Sequence, residues 1–325
     1  MRMEIEKIVF PLAQPFAITG HVFHEVETVR VTLEHEHVTG RGEAVGVYYL
    51  DDTSDEIVKS LTQVKSAVES GINREDIQET LPAGGARNAL DCAYWDYDAK
   101  RTGITVWEKL KLNPRPLTTV CTIGIGTAEE MANLAIKYRS YPKLKIKLDN
   151  SQPIEKLEAI RRVRPDASLV VDVNQGWSFE ELKEYAPHCK RLGLEMIEQP
   201  LKRGGDEHLE GYNCPVALGA DESCLDVSEY ETAARRYDVI NIKLDKCGGL
   251  TAALRIAEKA KQDDKTLMVG NMTGSSLSMA PAYVVGQFCQ FVDLDGPLLL
   301  KHDIANGLYF SSSGMVELPS SSFWG

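Results

Sequence analysis

Residues 168–223 read SLVVDVNQGWSFEELKEYAPHCKRLGLEMIEQPLKRGGDEHLEGYNCPVALGADES, and three apolar runs in this stretch each end in an acid. The acids Asp172, Glu198 and Asp221 follow one another at intervals of 26 and 23 residues. Because one parallel crossover with its helix has about this length, the spacing predicts three neighbouring parallel strands. An acid would then lie at the C-terminal tip of each strand, where barrel proteins build their chemistry.

The three acids predict a metal site. Carboxylates that converge lose hydration and repel one another, which costs several kcal/mol per ion unless a cation compensates. Oxygen-only ligands suit a hard divalent ion, with Mg²⁺ as the best candidate. A single strand-end acid is usually a helix cap, but three in register, one per strand, favour a metal.

The same repeat extends over the second part of the chain. Apolar runs recur every 22 to 27 residues, centred near Cys121, Ile146, Asp172, Ile197, Ala220, Ile242, Val269 and Val292. Seven intervals between them contain helical patterns. This order predicts an α/β fold, a (β/α)8-type TIM barrel in the modified (β/α)7β form.

The first part of the chain has a different order. Residues 1–50 read as strands, and two helical patterns follow, over about 53–71 and 84–101. Strands followed by helices indicate an α+β domain. The two prolines of NPRP end it, so we expect an α+β domain over 1–113, the barrel over 114–299, and a segment 300–325 that packs back on the first domain.

Three lysines flank the acids. Lys145 and Lys147 lie two residues apart in KLKIKLD and therefore point to one face of strand two. Lys243 has the equivalent position on strand six, diametrically across an eight-stranded ring. A lysine at a strand end is most often an ion-pair partner, but two on opposite strands around three acids predict an acid/base pair.

This arrangement has a chemical meaning. A proton α to a carboxylate is very weakly acidic, and a divalent ion on the carboxylate stabilises the charge left by its removal. A lysine base must be neutral, so its pKa has to fall from about 10.4 to near 7, roughly 3 units or about 4 kcal/mol. Neighbouring cations lower it. A second lysine on the opposite face would return a proton and invert the stereocentre.

Two acids on the last strand indicate which chemical group the substrate carries. Asp293 and Asp295 in FVDLDG share a face, and no lysine or arginine is adjacent in sequence. They need a cation from elsewhere, and a free ammonium group on the substrate would fit. The alternative is that one of them caps a loop.

The composition of the chain argues against several classes of protein. The net charge is −12 and no basic patch forms, which argues against nucleic-acid binding. No apolar run reaches the length of about 18 residues that a membrane span needs. The seven scattered cysteines include no C-x-x-C pair and predict reduced thiols and a cytoplasmic location. A homo-oligomer is allowed but not indicated.

The set KLKIKLD, VDVNQGW, IEQP, ADES, NIKLDKCGGL and FVDLDG, in this order, resembles the enolase superfamily in its muconate-lactonizing-enzyme-like subgroup. The D-x-D of the last strand resembles the dipeptide epimerases, of which the L-Ala-D/L-Glu type is the default. LPAGGARNALDCAYWD in the first domain is similar to that family as well. The resemblance implies a Mg²⁺-dependent isomerase that inverts the C-terminal residue of a dipeptide, in cell-wall peptide metabolism.

The resemblance also implies a role for each site residue. Asp172, Glu198 and Asp221 would ligate Mg²⁺, with Asn174 behind them. Lys147 and Lys243 would be the acid/base pair. The expected substrate contacts are Lys145 at the carboxylate, Asp293 and Asp295 at the α-ammonium, and Thr122, Phe23, His24 and Tyr48. The first domain would be a cap whose loops 16–24 and 46–53 close over the barrel mouth.

The chain departs from the pattern of this family in one cap loop, which bears on the side chain of the substrate. Epimerases that act on glutamate carry an arginine in the first cap loop, which here reads FAITGHVFHE without arginine or lysine. Phe23, Tyr48 and Tyr49 predict a less acidic side chain, although His21 or His24 could still serve as the cation. Rival functions are o-succinylbenzoate synthase or N-succinylamino acid racemase, a Schiff-base lysine aldolase, and a non-catalytic metal-stabilised barrel.

Overall fold

The N-terminal part of the chain is an antiparallel sheet covered by helices. The computed structural model describes residues 1–18 and 21–325, so Thr19 and Gly20, inside the predicted cap loop 16–24, lie outside the described residues. The strands β1 (Arg2–Ile18), β2 (His21–His35) and β3 (Val38–Ala44) pair in the order β1-β2-β3. The period-two face of β2 is buried, as its alternation predicts.

Four helices follow, two of which the sequence analysis had identified. They are α1 (Ser54–Glu69), α2 (Arg74–Thr80), α3 (Gly85–Thr102) and α4 (Val106–Leu110). Thr53 caps α1 by accepting a hydrogen bond from the Glu56 N–H. The helix α2 was not predicted from the sequence; it begins at an Asn73 capping box and has only seven residues.

Eight parallel strands form the second part, at the eight predicted positions. The strands of this sheet are β5 (Cys121–Ile123), β6 (Lys143–Lys147), β7 (Ser168–Asp172), β8 (Leu194–Glu198), β9 (Ala217–Ala220), β10 (Val239–Ile242), β11 (Thr266–Val269) and β12 (Phe291–Val292). The helices of this part are α5 (Ala128–Lys137), α6 (Pro153–Val163), α7 (Phe179–Arg191), α8 (Tyr230–Arg236), α9 (Leu244–Cys247), α10 (Leu250–Gln262), α11 (Ser276–Gly286) and α12 (Gly296–Leu299), and the short strands β4 (Leu117–Thr118) and β13 (Met315–Val316) stand outside the parallel sheet. Six of the seven intervals between the parallel strands contain an α-helix as predicted, whereas the interval between β8 and β9 contains only the short 3-10 turn Glu207–Leu209.

The parallel sheet runs in sequence order from β5 to β12 and curls. The Val120 N–H donates to the Val292 carbonyl at 2.9 Å, which joins the two ends of the sheet. Apolar side chains from alternate positions pack together inside the curl: Val120, Val170, Met196, Val239, Met268 and Phe291. The predicted α/β class is therefore confirmed as a curled eight-stranded parallel sheet with an N-terminal cap.

The C-terminal residues contact both parts of the molecule. The strand β13 pairs with β4 at the start of the parallel sheet. The buried Trp324 donates from Nε1 to the carbonyls of Arg41 and Cys92 in the N-terminal part. The Gly325 N–H donates to the Asp96 carboxylate of α3 at 2.8 Å.

One local difference from the sequence interpretation affects the site. The last parallel strand contains only Phe291 and Val292, so Asp293 and Asp295 follow the strand rather than extend it. Both are nevertheless buried. Over residues 1–18 and 21–325, no helix is long and apolar enough to cross a membrane.

Candidate active site

Three acids meet at the C-terminal ends of neighbouring strands. Asp172 ends β7, Glu198 ends β8 and Asp221 directly follows β9. Asp172 and Glu198 are paired in register across the sheet. All three are at most 1% exposed, and one carboxylate oxygen from each lies within 4.8 Å of the others. The structure therefore brings the three predicted metal ligands to one point.

Three lysine ammonium groups neutralise these acids. Lys147 Nζ lies 2.6 Å from Asp172 Oδ2, and Lys243 Nζ lies 2.6 Å from Asp221 Oδ2. They occupy opposite ends of the acidic cluster, since β6 and β10 are four strands apart. Lys145 Nζ lies in the middle, 3.0 Å from Asp172 Oδ2 and 2.8 Å from Glu198 Oε2.

The close charges shift the pKa values of the acids in opposite directions. Burial raises the pKa of Asp172, but Lys147 and Lys145 outweigh it and lower the pKa to about 2. Burial, and then the charge of Asp172, raise the pKa of Glu198 to about 7. Burial disfavours the charged form of Lys243, but Asp221 holds its pKa above the usual value, which is the opposite of the lowered pKa expected from the sequence for a lysine base.

The donor set fits a divalent metal ion. Glu198 Oε2 accepts no well-directed hydrogen bond from any described residue, although Lys145 Nζ lies 2.8 Å away. A carboxylate oxygen without a hydrogen bond, in a buried cluster of three acids, is a position that a metal cation would satisfy. The ligand atoms are all oxygens, which Mg²⁺ prefers.

Asp293 and Asp295 form a separate acidic pair, linked to the three-acid cluster through Lys145. Lys145 Nζ lies 2.8 Å from Asp293 Oδ2, so the protein supplies a cation that the sequence analysis had sought only in the substrate. Asp295 accepts a hydrogen bond from the Thr122 N–H at 2.7 Å and shares one with Asp293. Burial, and then the charge of Asp293, raise the pKa of Asp295 to about 7.

A cavity of about 430 Å³ joins the lysines to the N-terminal part of the chain. Lys147 and Lys243 line it together with Phe23 and Tyr48. The ring of His21 lies 4.2 Å from that of Phe23 and 5.8 Å from that of Tyr48, between centroids. The opening over the acids is thus walled by aromatic rings.

The predicted substrate contacts do not all reach this cavity. Lys145, Asp293 and Asp295 are buried beside the three acids and stand outside its described lining. Phe23, Tyr48 and Asn174 line it, but His24 is exposed and stands outside its described lining. Thr122 contacts Asp295 through its main chain rather than the cavity.

Several polar residues of the site were not predicted from the sequence. Glu222 lines the cavity, and its Oε2 accepts no hydrogen bond from the described residues. Asn241 contacts Glu198, and Lys246 contacts Asp221. The only sequence signal was for Asn241, which lies two residues before Lys243 and so shares its face.

Comparison with known proteins identifies the family. Residues 3–110 match the mandelate racemase/muconate lactonizing enzyme N-terminal domain, and residues 127–322 match the enolase C-terminal domain-like family. The L-Ala-D/L-Glu epimerase of Escherichia coli is 38% identical over 93% of this chain and 95% of its own length. An N-acetyl-D-glutamate racemase of Pseudoalteromonas is 41% identical over 77% and 79%.

Solved structures agree with this placement. An Agrobacterium tumefaciens enolase family member with homology to dipeptide epimerases, crystallised with sodium and L-Ala-L-Glu, superposes with a TM-score of 0.97, 35% identity and 99% coverage of both chains. The Methylococcus capsulatus dipeptide epimerase, crystallised with Mg and L-Arg-D-Lys, gives 0.89, 28% identity, and 97% and 96% coverage. The chain belongs to the enolase superfamily, in the mandelate racemase/muconate lactonizing enzyme family.

Proposed function

We propose that this protein is a Mg²⁺-dependent dipeptide epimerase that inverts the α-carbon of the C-terminal residue by proton transfer between two lysines. The observation that carries the proposal is the position of Lys147 and Lys243 at opposite ends of the three-acid cluster. The relatives named as epimerases and racemases support the reaction class.

The two lysines move the proton. A neutral lysine on one side takes the α-proton and becomes an ammonium, while the protonated lysine on the other side gives a proton to the opposite face and becomes neutral. Asp172, Glu198 and Asp221 would hold Mg²⁺, which when bound supplies positive charge beside the substrate carboxylate and stabilises the carbanion. Lys145 adds a third positive charge beside that carboxylate.

Asp293 and Asp295 are proposed to bind the α-ammonium group of the dipeptide. Both carboxyl groups are buried and in contact, and Lys145 neutralises only one of them. A substrate ammonium would place the missing positive charge at Asp295. This contact fixes the peptide with its C-terminal residue toward the lysines.

The side chain of the C-terminal residue is proposed to be apolar or aromatic rather than acidic. Phe23 and Tyr48 wall the cavity, and Lys147 and Lys243 are the only lysine or arginine side chains in its described lining. Apart from these two lysines, which act on the α-carbon, His21 is the only side chain in the described lining that could supply a cation to a substrate carboxylate. L-Ala-L-Glu therefore serves as the reference substrate rather than the expected best one.

A second candidate function is racemisation of an N-acylamino acid. It is favoured by the relative named N-acetyl-D-glutamate racemase. Such a substrate, like those of o-succinylbenzoate synthase or N-succinylamino acid racemase, has no ammonium for Asp295. The second acidic pair therefore favours the dipeptide.

A reaction of a different class would be a Schiff-base aldolase. It uses a lysine as a nucleophile and needs no metal. EDTA is expected to abolish the activity of this protein, and added Mg²⁺ to restore it, whereas borohydride with substrate should trap no adduct. Activity that survives EDTA, together with a trapped lysine adduct, would favour the aldolase.

The architecture is proposed in finer detail as a (β/α)7β barrel over 114–299, with a cap over 1–113 and a C-terminal segment 300–325 that completes the cap. The hydrogen bond between Val120 and Val292 supports closure, and the contacts of Trp324 support the last assignment. The seven free cysteines support a cytoplasmic location. A homo-oligomer stays a prediction that sedimentation would test.

The decisive experiment is incubation of the Mg²⁺-loaded protein with a library of dipeptides and N-acylamino acids in D₂O. Deuterium at the α-carbon of the C-terminal residue of dipeptides, with appearance of the opposite isomer, is the expected result. Deuterium in the N-acylamino acids alone would favour the second candidate. No exchange in any member would leave a binding barrel as the function.

A further inference from the structure

Each of the three acids uses one carboxylate oxygen as an anchor and leaves the other free for the site. Asp172 Oδ1 accepts from the Asn174 N–H at 3.0 Å. Glu198 Oε1 accepts from Asn241 Nδ2 at 2.6 Å, and Asp221 Oδ1 accepts from Lys246 Nζ at 2.7 Å. The other oxygen of each acid faces the lysines of the site. Asp172 Oδ2 faces Lys145 and Lys147, Glu198 Oε2 faces Lys145, and Asp221 Oδ2 faces Lys243.

Lys246 is held too firmly to be a mobile counterion. It is 3% exposed, and its ammonium donates to the Asp221 carbonyl at 2.6 Å, to Asp221 Oδ1 at 2.7 Å and to the Asn241 carbonyl at 3.0 Å. Its three donors are therefore all engaged. It locks both the side chain and the main chain of Asp221.

Asn241 is oriented for Glu198. It is 1% exposed, and its Oδ1 accepts no hydrogen bond from the described residues, so the amide makes its contact through Nδ2. Gly270 leaves the room for this side chain, because a Cβ there would lie 2.7 Å from Asn241 Oδ1. The packing thus holds the donor against one oxygen of Glu198.

We propose that Asn241 and Lys246 are positioning residues that restrict Glu198 and Asp221 to one metal-facing oxygen each and so make the site selective for Mg²⁺ over Ca²⁺. Mg²⁺ takes ligands in a tight octahedron at about 2.0–2.1 Å and keeps waters, whereas Ca²⁺ takes about six to eight oxygens and often both oxygens of a carboxylate. An acid whose second oxygen is held toward an anchoring donor is turned away from that two-oxygen mode. The inference rests on the proposed function, which assigns Mg²⁺ to these acids.

A merely structural role for the two residues would be to satisfy buried polar groups. Removing either would then lower stability and leave the preference between ions unchanged. The positioning role instead affects the ratio of the two ion affinities, because a released oxygen can approach the larger ion. Metal binding without substrate separates these roles.

The experiment measures Mg²⁺ and Ca²⁺ dissociation constants by calorimetry on the full chain after chelation, with melting temperature as the folding control. The variants are Lys246→Met and Asn241→Leu. The control is Lys156→Met, which removes a buried lysine that pairs with Asp149 at 2.8 Å and not with the three acids.

We expect each variant to weaken Mg²⁺ binding by about 10- to 100-fold, the usual effect of removing a group that orients a metal ligand. Ca²⁺ binding should weaken less, so that the preference for Mg²⁺ falls by about tenfold or more, while Lys156→Met keeps the wild-type ratio. If Lys246→Met does not fold, Asn241→Leu decides. A folded variant with the wild-type ratio overturns the inference. Failure of the wild-type chain to bind Mg²⁺ would instead overturn the proposed function.

Discussion

Asp295→Asn tests whether the second acidic pair binds a substrate ammonium group. Asp295 is the better member of the pair to substitute, because Asp293 also forms an ion pair with Lys145 that its substitution would break. Asparagine has nearly the same volume and can still accept the hydrogen bond from the Thr122 N–H. The substitution therefore removes a charge and little else.

The size of the effect follows from the burial of the carboxylate. Asp295 is 3% exposed, so an ammonium bound there makes a charge-assisted hydrogen bond away from water. Such bonds contribute about 1.5–3 kcal/mol. With about 1.36 kcal/mol per factor of ten, the KM for a dipeptide should rise by about 10- to 150-fold, with a smaller change in kcat.

The pH dependence gives a second readout of the same group. Burial and the charge of Asp293 raise the pKa of Asp295 to about 7, so the group is neutral below that pH and ionised above it. An ammonium prefers the ionised form, and dipeptide affinity in the wild-type chain should therefore rise as the pH increases through about 7. Asp295→Asn should flatten this rise.

The assay compares L-Ala-L-Phe with N-acetyl-L-phenylalanine, which has no ammonium group. KM is measured for the dipeptide by chiral chromatography, and the N-acetyl compound is measured as a competitive inhibitor. Asp295→Asn should raise the KM of the dipeptide and change the inhibition constant of N-acetyl-L-phenylalanine by less than about threefold. Equal losses for both compounds, or an unchanged KM, would refute the assignment.

Two further changes test the cavity and the C-terminal contacts. Phe23→Arg should raise kcat/KM for L-Ala-L-Glu relative to L-Ala-L-Phe by about tenfold or more, because the arginine can form a charge-assisted pair with the glutamate side chain where an aromatic ring now lines the cavity. Phe23→Leu is the control. An unchanged preference in the arginine variant would contradict the proposed substrate. Trp324→Ala should lower the free energy of unfolding by about 3–5 kcal/mol in urea titrations, because this large side chain is only 1% exposed. A loss below about 1 kcal/mol would show that the C-terminal contacts contribute little to stability.

The parts of the fold that could be predicted are those with a repeated pattern. Strand-end acids at regular intervals identified the three neighbouring strands, and the period of two placed Lys145 and Lys147 on one face. Both lysines do contact Asp172 Oδ2. Apolar periodicity also located α1 and α3, whereas α2 was missed because seven residues are too few for a helical pattern.

The parts that could not be predicted depend on which polar groups meet across strands. Lys246 follows the strand in a short helix, and nothing in its spacing indicates Asp221 as its acceptor. Asp293 follows β12 and pairs with Lys145 of β6, two strands away in the closed order, which sequence adjacency cannot reveal. The facing of the cap residues also depends on how the cap packs over the barrel: Phe23 lines the cavity, whereas His24 is exposed and stands outside its described lining.

The central claim is that two lysines act on opposite faces of one α-carbon, and single-lysine variants in D₂O test it most directly. Lys147→Ala and Lys243→Ala are each incubated with the L,L and L,D isomers of one dipeptide, and α-deuterium is followed by mass spectrometry. Neither variant should epimerise the substrate, and each should exchange deuterium into one isomer only, with the two variants acting on opposite isomers. Full epimerisation by either variant, or exchange into the same isomer by both, would contradict the account.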